Sequence, residues 1–155
     1  MAIEIERKFL VKNDDWRSLE SGKVYRQGYI LTQDKVTTIR IRIIGEDAYL
    51  TIKSKTEGIS RNEFEYPIPL EDAKMMLDTL CSRPLIEKIR YKITIDNLVW
   101  EIDEFKGENE GLILAEVELN DENQEIFLPS WVGEEVTHDL RYYNVNLAKN
   151  PYQTW

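Results

Sequence analysis

The sequence predicts an antiparallel β-barrel of eight strands with helices packed on its outside, a mostly β, α+β fold. Three observations carry that expectation. Eight segments alternate apolar and polar residues at period two, the spacing of a half-buried strand. Seven of the eight gather two or three charged residues on one face, with Ile, Val, Leu, Phe or Tyr on the other. Amphipathic helical stretches are available to cover the apolar faces. Eight strands suffice to close a barrel, which leaves the charged faces to line its interior or a wide cleft.

The first strand is Ile3 to Val11, with Ile3, Ile5, Phe9 and Val11 against Glu4, Glu6 and Lys8. Asn13 to Ser21 reads as a short helical turn closed by Gly22. Tyr25 to Thr32 is the second strand, and Thr37 to Ile44 the third, with Arg40 and Arg42 opposite Ile39, Ile41 and Ile43. Gly45-Glu46-Asp47 turns the chain into Ala48 to Lys55, where Thr51, Lys53 and Lys55 share a face. Arg61 to Ile68 is the fifth strand, with Glu63 and Glu65 opposite Phe64 and Tyr66. Pro67 marks its end or an edge. Between Glu71 and Cys81 the period becomes helical, with Ala73, Met76, Leu77 and Leu80 on one stripe. Leu85 to Ile95 carries Lys88, Arg90 and Lys92, and Asp96-Asn97 turns it into Leu98 to Phe105 with Glu101 and Asp103. Leu112 to Leu119 supplies the last pair, Glu116 and Glu118. Asp121 is expected to cap a short helix to Phe127, and a helical segment is expected from Leu140 to Lys149. No repeat or linker divides the chain, so residues 1–155 read as one domain.

The charge balance narrows the partners. With 29 acidic against 20 basic residues the net charge is -9, which argues against duplex nucleic acid or an anionic membrane on the outer surface. No apolar run approaches the ~20 residues that span a bilayer, and the amino terminus reads as a strand, not a secretory leader. Cys81 is the single cysteine, which excludes an internal disulfide or a cysteine-based zinc site and fits a reducing cytoplasm. His138 lies in a polar stretch and reads as solvated; Trp16, Trp100, Trp131 and Trp155 read as packing residues.

Glu4/Glu6, Glu63/Glu65, Glu101/Asp103 and Glu116/Glu118 make four acidic pairs. Arg40/Arg42, Lys53/Lys55 and Lys88/Arg90/Lys92 make three basic sets, joined by Lys8. On any one strand a solvated face explains the charges as well. Repeated on seven, with the signs sorted, it does not: a solvent face gains nothing from like charges at i and i+2. A lumen that holds a polyphosphate with its cations needs both signs at high density. Arg and Lys neutralise phosphate oxygens, while carboxylates are the oxygen ligands that hard divalent ions require.

Glu4-Ile-Glu6-Arg-Lys8 resembles the amino-terminal Glu-x-Glu-x-Lys signature of the CYTH superfamily, the triphosphate tunnel metalloenzymes. The resemblance runs over nearly the whole chain. Arg40-Ile-Arg42 is similar to the family's Arg-x-Arg strand and Thr51-Ile-Lys53-Ser54 to its lysine strand. Arg61-Asn-Glu63-Phe-Glu65 resembles its fifth strand, Glu87-Lys88-Ile-Arg90 its sixth, and Ala115-Glu116-Val-Glu118 its last acidic pair. The tail from Pro129 to Thr137, followed by Arg141-Tyr142, resembles the small bacterial members.

The resemblance implies an eight-stranded tunnel that binds triphosphate compounds with Mg²⁺ or Mn²⁺, and a triphosphatase acting on inorganic tripolyphosphate. Class IV adenylate cyclase and thiamine triphosphatase activity are the alternatives within the family; a non-catalytic polyphosphate-binding module is the alternative outside it. Lys8, Arg40, Arg42, Lys53, Lys88, Arg90 and Arg141 are the expected substrate-binding residues, with Lys53, Lys88 and Arg90 also expected to act in catalysis. Glu4, Glu6, Asp103, Glu116 and Glu118 are the expected metal ligands. Glu63, Glu65 and Glu101 either join them or order the basic side chains. Where some relatives carry a basic residue in the last helix this chain has Asn146, so Arg141 or Lys149 is expected to close the mouth. A small-molecule substrate and a monomer or homodimer complete the expectation.

Overall fold

The computed structural model describes all 155 residues. Nine strands form one antiparallel sheet: β1 (Ala2–Val11), β2 (Gly22–Ile30), β3 (Thr38–Ile44), β4 (Asp47–Lys53), β5 (Ser60–Pro67), β6 (Ile86–Ile95), β7 (Leu98–Phe105), β8 (Ile113–Glu118) and β9 (Val132–Glu135). The helices are α1 (Leu70–Thr79) and α2 (Asn144–Lys149). Spatial order β5-β4-β3-β2-β6-β7-β8-β1, with β1 also paired to β5, closes eight of the strands into a barrel. Closure leaves none of those eight as a free edge. β1 is the seam. Its residues Ala2 to Ile5 pair with β5, Glu6 to Leu10 with β8, and its far end with the short β9.

Period two now separates an inner from an outer surface. The outward row of β1, β7 and β8 buries Phe9, Trp100, Ile102 and Val117 beneath Trp16 and Trp131. The outward row of β3 buries Ile41 and Ile43 beneath α1, whose Ala73 and Leu77 face them. α1 therefore packs outside the barrel as its stripe predicts. α2 does not. It lies across one end, where Leu147 and Ala148 join Tyr29, Ile86, Phe105 and Leu114 from the inward rows of four strands. That apolar plug makes the lumen a cavity with one closed end.

Four sequence expectations change in the structure. Asn13 to Ser21 forms turns and no helix, because the Trp16 indole drops into the outer core and donates to the Asn13 carbonyl at 2.9 Å. Asp121 caps no helix: its carboxylate accepts from the Asn123 N–H and the Gln124 side chain folds back to the Asn120 N–H, closing a turn. The tail includes β9, a strand of four residues, too short to show alternation in sequence. The carboxy-terminal helical segment is broken at Tyr143, whose extended backbone separates a 3₁₀ turn at Leu140–Tyr142 from α2.

Candidate active site

The charged inward rows converge. A cavity of about 330 Å³ opens among them, lined chiefly by polar side chains. β3 contributes Arg40 and Arg42, β4 contributes Lys53, and β6 contributes Lys88, Arg90 and Lys92. β1 contributes Glu4, Glu6 and Lys8, β5 contributes Arg61, Glu63 and Glu65, β7 contributes Glu101, and β8 contributes Glu116 and Glu118. Adjacent strands in register place these groups side by side. Thus Glu6 stands opposite Glu118 and Lys8 opposite Glu116, while Arg90 lies opposite Asp103. Lys8, Arg40, Arg42, Lys53, Lys88 and Arg90 are all buried, a condition that cations accept only when compensated.

Much of the compensation comes from ion pairs. Lys88 Nζ lies 2.6 Å from Asp103, and Arg90 grips both oxygens of the same carboxylate, at 2.7 and 2.8 Å. Lys53 Nζ reaches Glu4 at 2.8 Å and Glu63 at 3.4 Å, and Arg61 takes the other Glu4 oxygen at 3.2 Å. Lys8 pairs with Glu116 at 3.2 Å. Burial opposes the Glu4 charge, yet Lys53 and Arg61 hold its carboxyl down to about 2. Burial, with Arg90 close by, brings the Lys88 ammonium down to about 7 despite Asp103.

Two acids are left without such partners. Glu6 makes no hydrogen bond or ion pair, and burial beside Glu116 and Glu4 pushes it up to about 8. Glu118, directly across from it on β8, is raised by burial and by Glu4 and Glu101. Glu6 and the solvent-exposed Glu118 thus face each other with no basic partner, an arrangement that a bound cation relieves. No three acidic side chains form a ready-made cage. Mg²⁺ needs none, since it retains waters and takes substrate oxygens beside one or two carboxylates. The donor set therefore fits a hard divalent ion at Glu6 and Glu118, with Glu116 alongside.

Of the expected site residues, Glu4, Asp103 and Arg141 depart. Both Glu4 oxygens are taken, one by Lys53 and one by Arg61, so Glu4 orders the bases in place of the expected metal ligation. Asp103 is fully buried behind the lining, both oxygens committed to Lys88 and Arg90, so it orders the bases and offers no free oxygen to a metal. Arg141 is exposed, bound to Asp139 at 2.8 Å and stacked on Trp155, well away from the lumen. Lys149 and His138 are also on the surface, and Lys55 lies beyond the end of β4. In place of a basic plug, Tyr143 and Asn144 reach the cavity. The Tyr143 ring faces Lys8 Nζ at 4.7 Å, and Asn144 Oδ1 accepts from Lys88 at 2.9 Å. Glu63 and Glu101 pair with Lys53 and Arg90, and Glu65 with Arg40 at 3.4 Å. Arg61, Gln27, Tyr143 and Asn144 are lining or supporting residues that strand-face counting passes over. For Arg61 the pattern was present, since it shares the inward row of Glu63 and Glu65.

A CYTH domain model matches residues 2–152. The chain belongs to the CYTH family. An inorganic triphosphatase of Acetivibrio thermocellus is 51% identical over 155 residues, covering 100% of this chain and 99% of that protein. An inorganic triphosphatase of Nitrosomonas europaea is 38% identical over 148 residues, covering 94% and 96%. Among solved structures, that of an inorganic triphosphatase superposes with a TM-score of 0.66 at 36% identity, covering 93% and 96% of the two chains. A Bacillus halodurans protein described as a candidate adenylate cyclase reaches 0.63 at 19% identity, covering 79% and 84%, a likeness of fold alone. The CYTH barrel, like these, is built of strands; no helix in the chain is long and apolar enough to cross a membrane.

Proposed function

We infer that this chain hydrolyses the terminal phosphoanhydride of inorganic tripolyphosphate, yielding pyrophosphate and orthophosphate, in the cytoplasm and with Mg²⁺ or Mn²⁺. The observation that carries the reading is the lumen itself: one closed-ended cavity with buried cations and two unpartnered carboxyls in the same space. A phosphate chain answers the first and a divalent ion the second. The Tyr25 and Tyr143 rings, which a nucleobase would otherwise stack upon, already face Arg42, Arg90, Lys8 and Arg61.

In this reading Arg40, Arg42 and Lys53 hold the phosphate chain, together with Lys8, while Arg90, locked by Asp103, aims at the transferred phosphoryl group. Lys88 Nζ, brought close to neutrality in its acidity, is suited to pass a proton to the departing pyrophosphate oxygen. Glu6 and Glu118, with Glu116, would hold the metal. Bound there, it supplies neutralisation of phosphate oxygens and a more acidic attacking water. Glu4, Glu63 and Glu101 keep the bases in place.

Phosphate release from tripolyphosphate, ATP, thiamine triphosphate and pyrophosphate, with and without Mg²⁺, tests this directly. Tripolyphosphate should show the highest kcat/KM and need the metal; pyrophosphate, too short to span both the metal and the bases, should be poor. Cyclic AMP as the main product from ATP, or faster turnover of a nucleotide than of tripolyphosphate, overturns the assignment.

A further inference from the structure

Of the eight strands that close the barrel, β2 alone lends no charged residue to the cavity lining; Lys23, on the same face opposite Arg90, is exposed at the strand's end. Its buried inward row reads Tyr25, Gln27, Tyr29. This strand lies between β3 and β6, the two strands that carry Arg40, Arg42, Lys88 and Arg90. Buried like charges on either side of it repel, so something must hold them apart and aim them.

Tyr25 does part of this. Arg42 approaches its ring from β3 and Arg90 from β6, each guanidinium carbon 5.0 Å from the centroid. The negative face of an aromatic ring attracts both cations while keeping them separate. Gln27, with no exposed surface, does the rest. Its Oε1 accepts from Arg42 Nε at 2.8 Å, and its Nε2 donates to the Tyr29 hydroxyl at 2.7 Å and to Asn144 Oδ1 at 3.3 Å. The same Asn144 oxygen accepts from Lys88 Nζ at 2.9 Å. One uncharged amide thus ties a guanidinium on β3 to an ammonium on β6. It engages Arg42 only at Nε, leaving the two terminal nitrogens without a protein partner and free for a ligand. A carboxylate at this position would cancel charge that a polyanion needs. An alkyl group would leave Nε unsatisfied.

We propose that Gln27, with Tyr25, is a positioning residue for tripolyphosphate: it sets Arg42 directly, and Lys88 through Asn144, so that their free N–H groups meet the phosphate oxygens. This rests on the tripolyphosphate reading above. The metal carboxylates lie on β1 and β8, beyond its reach.

The test measures tripolyphosphate binding calorimetrically without divalent ion, beside KM, kcat and the half-saturating Mg²⁺ concentration. The variants are Gln27→Leu, Tyr25→Leu, Tyr25→Phe and Asn144→Leu. Losing a hydrogen bond to a charged group should weaken binding and raise KM about tenfold in Gln27→Leu, with a similar change in Tyr25→Leu. Tyr25→Phe keeps the ring and should stay within about twofold of wild type, and none should shift half-saturating Mg²⁺ by more than that. Should Gln27→Leu not fold, the half-buried Asn144→Leu replaces it, with about threefold weaker binding expected because only the Lys88 arm is lost. Binding in Gln27→Leu, or in its replacement, within about twofold of wild type overturns the proposal, as does a metal requirement that moves in step with KM. Wild-type protein that binds tripolyphosphate without cleaving it refutes the reaction alone, and the variants' binding still decides the positioning role. Absence of wild-type binding refutes both.

Discussion

At the scale of the residue, the lumen separates groups that bind from groups that hold other groups. Arg42 has free terminal nitrogens, Glu118 has no basic partner, and Asp103 has both oxygens occupied. Arg42→Ala should therefore raise KM for tripolyphosphate by about tenfold or more, the cost of one hydrogen bond to charge. Glu118→Gln should leave KM nearly unchanged while raising the Mg²⁺ needed for half-maximal rate and lowering kcat, which a metal titration of initial rates reads directly. Full activity of Glu118→Gln at limiting Mg²⁺ would remove it from the ligand set. The alternation of polar and apolar residues points each of these side chains inward without a structure. Partnership is not in the pattern. Asp103 sits in the acidic row beside Glu101, and only its position between Lys88 and Arg90 turns an expected ligand into a support.

At the scale of the element, β9 extends the β1 seam where β5 leaves off, held by backbone pairing, by the buried Val132 and by one surface contact. Arg7 donates to Glu135 from Nε at 3.0 Å and from a terminal nitrogen at 2.7 Å. The Arg7 hydrogen bonds hold the Glu135 carboxyl below its usual range, against modest burial and with help from Thr137. The folded state thus binds this proton less readily than the unfolded chain. Its contribution is present above the unfolded carboxyl range and disappears as pH falls through the lower, folded one. The Tm difference between wild type and Glu135→Gln should be clear at neutral pH, shrink as pH falls below the ordinary glutamate range and vanish below the lowered folded-state pKa, as thermal melts run into acid would show. A difference that persists in acid would mean Glu135 acts through packing. Neither β9 nor α2 announces its role in sequence. Four residues are too few for a period, and α2 reads only as a helix, with nothing to say that Leu147 and Ala148 seal the lumen instead of covering the outside.

At the scale of the whole molecule, the cations buried around the cavity repel one another, and a bound polyanion offsets that repulsion. Tripolyphosphate at about one hundred times its Kd should add about 2.7 kcal/mol to the unfolding free energy, seen as a rise in Tm that high salt diminishes. Orthophosphate at the same concentration should add far less, because it reaches fewer of the bases. A melt that does not respond to tripolyphosphate would deny the cavity its ligand. What the sequence by itself determined was the eight alternating strands and the charged face that most of them share. Both follow from period two, a local property fixed by the pleat of each strand. What only the tertiary structure decided was which of those charges meet. Pairing register and the closing of β1 onto both β5 and β8 bring Glu4 to Lys53 and Glu6 to Glu118 across long stretches of chain, and the α2 plug decides that the lumen has one end closed. Those are relations between strands, and no single strand's pattern contains them.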